Sequence, residues 1–132
     1  MSLASDLRRF AQKSNKKMET VIKSSLIRVG SSIVVKSPVD TGRFKNNWLC
    51  AYGTVDTSVT QAVDASGAQA IGRLTQKAAG VSVGEAFYFT NSLPYAYRIE
   101  YEGWSQLAPA GMVRVSVAAW ENIVADEVAK AR

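Results

Sequence analysis

Glu100 and Glu102 stand two residues apart, between Ile99, Tyr101 and Trp104. A carboxylate pair can divide acid and base work in glycoside cleavage, but only when the two groups oppose each other across a substrate. Neighbours within one turn do not achieve that. Ser37 and Thr41 are candidate nucleophiles, yet the chain has no histidine to activate them, and Lys36 is a weak substitute base. Cys50 is the only cysteine. It lies in the apolar run Trp48-Leu49-Cys50-Ala51-Tyr52 and is expected to behave as a small buried hydrophobe. Asp40, Asp56, Asp64 and Glu85 lack the spacing of a metal loop. The glycines form neither a dinucleotide fingerprint nor a P-loop. Chemistry on a small-molecule substrate is therefore not expected, nor is a cofactor or a bound metal.

The elements around these residues carry more information. Leu3, Leu7, Phe10, Ser14, Met18, Val21, Ile22, Leu26, Val29 and Ile33 recur at spacings of mostly three and four. That predicts one long helix, or two in sequence, over residues 3–35, with Ser5-Asp6 as its start. Gly30-Ser31-Ser32 is a place for a bend, and Ser37-Pro38 ends the pattern because the residue before proline avoids helical geometry. The stripe is longer than a small sheet can cover, so part of it is expected to meet a neighbouring subunit. Trp48–Tyr52 reads as a buried strand. Val55, Thr57 and Val59 alternate with polar residues and predict a second, and Glu85–Asn91 gives the best strand signal. Residues 65–80 read as a short helix or a loop, and 95–101 as a helical turn. Pro109 is suited to the first turn of a final helix lined by Val113, Val117, Trp120, Val124 and Val128. Trp48, Phe87, Phe89 and Trp120 are the expected core aromatics.

The fold class predicted is α+β, with a long N-terminal helix and a C-terminal helix packed on a small, mainly antiparallel sheet. One domain is expected over 1–132: a helical arm at 1–36, a sheet region at 44–91 with a variable loop or helix at 53–82, and a C-terminal helix at 109–131. The 132 residues, 47% hydrophobic and 20% charged, suit a single globular unit. There is no signal-peptide pattern and no run approaching a membrane span, so a cytoplasmic chain without membrane contact is expected.

Charge is unevenly placed. Residues 1–45 carry ten Lys or Arg against Asp6, Glu19 and Asp40, a net +7 in a chain whose total is +5. Arg8, Arg9, Lys13, Lys16 and Lys17 form a candidate face for DNA or for an acidic partner. A solvated helix face and attraction between unlike-charged ends of neighbouring subunits are the other readings. Separately, Tyr95, Tyr97, Tyr101 and Trp104, interrupted by Arg98 and Glu100, make a candidate protein-contact patch, because Tyr, Trp and Arg dominate binding hot spots. The turn Asp40-Thr41-Gly42-Arg43 has a local explanation: Asp bonds backbone two residues on, Gly permits positive φ, and Arg43 is placed to return to Asp40 or reach another carboxylate.

Three ordered blocks resemble the neck or tail-completion proteins of long-tailed bacteriophages. They are Ser37-Pro38-Val39-Asp40-Thr41-Gly42-Arg43-Phe44-Lys45-Asn46-Asn47-Trp48, Asn91 to Ala96 with Ile99-Glu100-Tyr101-Glu102-Gly103, and Ala108-Pro109-Ala110-Gly111-Met112-Val113-Arg114. With the regions between them, the blocks span most of residues 30–125. One departure is Glu102, which stands between Tyr101 and Gly103 where the family form runs straight to glycine.

The resemblance implies a virion structural protein at the head-tail junction, made in the host cytoplasm. It implies a ring of subunits that completes the tail and allows head-tail joining, with other phage neck and tail proteins as partners and DNA in the channel as a further contact. The protein-contact residues expected on this reading are Asp40, Thr41, Gly42, Arg43, Asn47, Tyr95, Tyr97, Arg98, Glu100, Tyr101, Trp104 and Met112. A tail terminator capping the tail tube is the nearest alternative, and a small basic nucleic-acid-binding protein is the alternative from another class.

Overall fold

In a computed structural model describing residues 2–131, the chain is α+β, with a single two-stranded antiparallel sheet. Helix α1 spans Leu3–Lys36 without a break. At ~1.5 Å per residue its 34 residues extend about 51 Å. Ser2, rather than Ser5-Asp6, caps it: the Ser2 hydroxyl accepts the Ser5 N–H at 3.2 Å, and Asp6 sits in the first turn. Gly30 does not interrupt the helix. Leu74 of a facing helix packs where a Gly30 side chain would be, so this glycine permits close approach between helices. The helix ends as the proline demands, with Ser37 extended at ψ 136.

The short helix α2 (Arg43–Asn46) leads into β1 (Trp48–Tyr52). After a long connection come α3 (Ala68–Ala79) and β2 (Phe87–Asn91), which pairs with β1 from Trp48↔Asn91 to Tyr52↔Phe87. The short α4 (Ala96–Tyr101) follows. The C-terminal helix is split into α5 (Val113–Val117) and α6 (Trp120–Ala131) at Ala118-Ala119. Helix α1 is the spine: α3, α5 and α6 all lie against it, and α3 also lies against β1.

The core gathers where the end of α1 meets the sheet, around Val34, Phe44, Trp48, Leu93, Ile99 and Met112. Trp48 stacks on Phe89 with centroids 5.1 Å apart and planes 15° apart. Its indole N–H donates to the Ser37 hydroxyl at 2.9 Å, and that hydroxyl donates to the Ile33 carbonyl at 2.7 Å. One buried serine thus ties the helix terminus to the first strand.

Three expectations are corrected. Val55, Thr57 and Val59 form no strand. Residues 54–66 run as irregular chain because their backbone groups are bonded by side chains instead of a strand. The Asn47 amide donates to the Thr60 carbonyl at 3.0 Å and its oxygen accepts the Thr60 N–H at 2.9 Å, while Thr90 donates to the Asp56 carbonyl. Second, Pro109 does not open the final helix, which begins four residues later at Val113. Third, Trp120 is 37% exposed, and Val117 and Val128 also face outward. The buried face of α5 and α6 is Ser116, Ile123 and Glu127. Polar residues occupy it because α1 supplies partners. Ser116 bonds Ser32 at 2.9 Å, and Glu127 accepts from Arg28 at 3.2 Å. Phe87 and Phe89 are half-buried.

Gly42 is buried, has φ 92, and any side chain there would collide with the Asp64–Ala65 backbone. Its carbonyl accepts the N–H groups of both Asn46 and Asp64 at 3.1 Å. Gly42→Val should therefore lower stability by about 1–3 kcal/mol. Urea denaturation of the two proteins measures this, and an unchanged midpoint would show that the turn tolerates a side chain.

Candidate functional site

Two of the turn- and aromatic-rich segments, more than fifty residues apart in sequence, converge on one groove of about 440 Å³. One wall is the Pro38–Thr41 turn, and the other is built by Tyr95, Ile99, Trp104 and Leu107, with Phe44 at the base between them. The aromatic wall is continuous. Phe44 and Tyr95 have centroids 5.8 Å apart, and Tyr95 and Trp104 6.0 Å apart. Arg98 stands over the Trp104 ring at 5.9 Å. Trp104 is 59% exposed and Leu107 72%, which is a large apolar area to leave against water. Asp40 is the one charged side chain among the described residues lining the groove.

The groove depends on the local chain geometry on each side. Thr41 holds the turn by accepting the Arg43 N–H at 3.2 Å on its hydroxyl. On the other side, α4 ends at Glu102, whose N–H donates to the Arg98 carbonyl at 3.0 Å, and Gly103 follows with φ 60. A glycine just past a helix end takes the left-handed conformation that turns the chain away. Glu102 is the residue that completes this helix end.

Glu100 is the anchor of the second wall, and it is buried rather than on a contact surface. Its Oε2 accepts the N–H groups of Met112 at 2.8 Å and Val113 at 3.0 Å, while Oε1 accepts that of Arg114 at 2.8 Å. The Arg114 guanidinium adds a bond to Oε1 at 3.3 Å and another to the Glu100 carbonyl. A carboxylate at the start of α5 satisfies donors that no helical carbonyl can reach and complements the helix dipole. Burial acts to raise the Glu100 pKa, but the three backbone N–H bonds and Arg114 outweigh it, leaving the group below the ordinary glutamate range. Gly111, with φ 80, is required here as well, since a Cβ on it would lie 2.6 Å from the Glu100 carboxylate oxygen.

Of the other expected contact residues, Asp40 and Thr41 lie on the groove rim, and Tyr95 and Trp104 in its wall. Arg98 is exposed beside Trp104. Tyr97 and Tyr101 are exposed together, 4.9 Å apart, with Arg114 5.0 Å over Tyr101. Asn47, Gly42 and Met112 are corrected to interior positions, because their polar groups and side chains are consumed within the chain. Among the described residues Arg43 pairs with neither Asp40 nor another carboxylate, and instead donates to the Thr60 carbonyl at 3.4 Å. Phe44, Ile99 and Leu107 were not among the expected contact residues. Leu107, an isolated leucine in a polar turn, was the one readable signal.

The basic residues Arg8, Arg9, Lys13, Lys16 and Lys17 are all exposed on the N-terminal half of α1, with Arg9 paired to Asp6 at 3.5 Å. Cys50 is buried, and burial pushes its thiol up to about 11 despite Arg73 and Lys77 nearby, so it is protonated at neutral pH. Among the described residues no group of three or more Cys, Asp or Glu is placed to hold a metal ion. Among the described residues, too, no helix is long and apolar enough to cross a membrane. No protein-family model, curated protein or solved structure matches the chain.

The Glu100 cap sets an acid dependence. Because its folded pKa is lowered, its stabilisation is complete above the ordinary glutamate value of 4.5 and fades as pH falls through and below it. Glu100→Ala should cost about 3 kcal/mol at neutral pH by stranding buried N–H groups. The gap between wild type and variant, followed by denaturation across pH, should close in acid. A pH-independent gap would mean that the carboxylate charge does not matter.

Proposed function

We propose that the protein is a virion structural protein at the head-tail junction of a long-tailed bacteriophage, forming a ring that completes the tail and permits head joining. The observation that carries this reading is the convergence of the Pro38–Thr41 turn and the Tyr95–Trp104 segment on one groove. Those segments overlap the first two blocks on which the resemblance rests, although Trp104 falls just past the second, and the third block, from Ala108 to Arg114, is held to the second by Glu100. A groove walled by aromatics and one carboxylate, with large side chains left exposed on its rim, suits contact with other protein. Ring closure would use heterologous contacts, in which one surface of a subunit meets a different surface of the next.

The exposed basic face of α1 favours a second role, contact with DNA in the channel. It predicts duplex binding that weakens steeply with added salt, because phosphate contacts release counterions. A gel-shift series on wild type and on a variant with Lys13, Lys16 and Lys17 changed to Glu tests it.

The main reading is tested in the virus. Particles made without the protein should contain filled heads and tails of normal length that do not join, as seen by electron microscopy. Overlong tails would assign the terminator role instead. Infectious particles would overturn the proposal altogether.

A further inference from the structure

The two edges of the small sheet are treated differently. The Gly53 N–H donates to the Ala86 carbonyl at 2.9 Å, which continues the β1–β2 register and makes these residues a hydrogen-bonded pair. Such pairs alternate along an antiparallel ladder, so Ala51–Tyr88 and Leu49–Thr90 are the bonded pairs within the sheet. The backbone groups of Trp48, Cys50 and Tyr52 therefore point away from β2, and those of Phe87, Phe89 and Asn91 point away from β1. On the β1 side they are used. The Trp48 carbonyl accepts from Arg73 at 3.1 Å, the Tyr52 carbonyl accepts the Thr54 N–H at 2.7 Å, and α3 lies against the strand. On the β2 side, among the described residues, no hydrogen bond reaches the outward backbone groups of Phe87 and Phe89 or the Asn91 N–H.

Natural sheets blunt a free edge with lysine, proline, a bulge or a covering element. The β2 sequence Phe87-Tyr88-Phe89-Thr90-Asn91 has no charge and no proline, and its register is unbroken. The chain's own alternating segment at 54–66 does not cover it. The Thr90 hydroxyl, which projects from a face of the sheet, donates to the Asp56 carbonyl at 2.8 Å, and Asn47 holds Thr60, so this segment is bound over the face and not along the edge. At its Asn91 end, β2 borders a groove of about 250 Å³. Across the groove stand Tyr97 and Tyr101 of α4, 64% and 56% exposed, and Trp48, Phe89 and Met112 give it an apolar lining.

Unpaired donors and acceptors at every second residue, roughly 6.8 Å apart, match the repeat of an extended backbone and of no compact ligand. Helix α4 faces β2 across the groove, so a strand added at this end has a helix behind it where a second copy would bring the rest of its sheet. A single extended segment meets both conditions. We propose that β2 takes a third strand from a different polypeptide, a terminal tail or loop that runs between β2 and α4. Its backbone pairs with Phe87, Phe89 and Asn91, and an apolar or aromatic side chain enters the groove against Trp48 and Phe89. Two strands alone make a marginal sheet, and the third completes it. The inference stands on the ladder pattern of one chain and rests on neither ring formation nor the virion reading, which head-tail joining tests separately.

Amide hydrogen exchange with strand-forming peptides tests it. The probes are short blocked peptides that alternate threonine with valine, isoleucine or tyrosine, added at millimolar concentration to the full chain. Exchange at Phe87, Phe89 and Asn91 should slow several-fold, while Tyr88 and Thr90, already bonded to β1, should not change. Methylating the peptide nitrogens along one edge should abolish the effect. Phe87→Pro removes an N–H that points outward, a change that edge strands tolerate, so this variant should stay folded and bind several-fold more weakly. Tyr97→Ala, at an exposed position on the groove wall, should weaken binding in the same way without touching the strand. Failure of every peptide to bind, protection that misses the alternate residues, or equal binding of the methylated peptide overturns the proposal. Protection of the same three amides on dimerisation without peptide would make a second copy the occupant and overturn it as well.

Discussion

The carboxylate of Glu100 holds three consecutive backbone N–H groups at the start of α5. Glu100 itself belongs to α4, the element that carries Tyr97 and Tyr101 and leads into the Trp104 loop. One side chain therefore fixes the aromatic segment relative to the C-terminal helices. Gly111 clears the space for it, and Arg114 closes the arrangement from the solvent side. A bond of this kind is costly to lose because the exposed alternative is not water-bonded N–H groups but buried, stranded ones. The second wall of the groove stands where it does because of this cap.

The spine depends on a different set of contacts. Gly30 lets Leu74 approach α1, Arg28 bonds Asp126 and Glu127 on α6, and Ser32 bonds Ser116 on α5. All of these lie in the C-terminal half of α1. From Met18 back to Leu3 the same helix has few buried residues, although its apolar stripe continues. The helix thus packs on its own core through its C-terminal half, and the change falls near its middle.

A polar layer replaces the strand that alternation predicted. Asn46, Asn47 and Arg73 are fully or largely enclosed, and they bond the 54–66 segment and the first strand through side chains. Val55, Val59 and Val63 are left outside as a result.

Local signals settled the helical N-terminal stretch, though not whether it was one helix or two, its stop at Ser37-Pro38, the strand at 48–52, a strand within 85–91, the turn at Asp40–Gly42 and the helical turn after Tyr95, since each follows from spacing or from the conformational limits of proline and glycine. The α+β class followed from the same patterns. Burial could not be read that way. The resemblance placed Asn47 and Met112, and the aromatic patch placed Glu100, on a contact surface, yet long-range bonds carry Asn47 and Glu100 inside and packing encloses Met112. Trp120 looked like core and lies outside, since Ser116 and Glu127 find partners on α1 and turn that helix by one position. Which residues share a face within one helix is written in their spacing; which segments share a groove depends on contacts spanning fifty residues or more, and only the folded chain decides those.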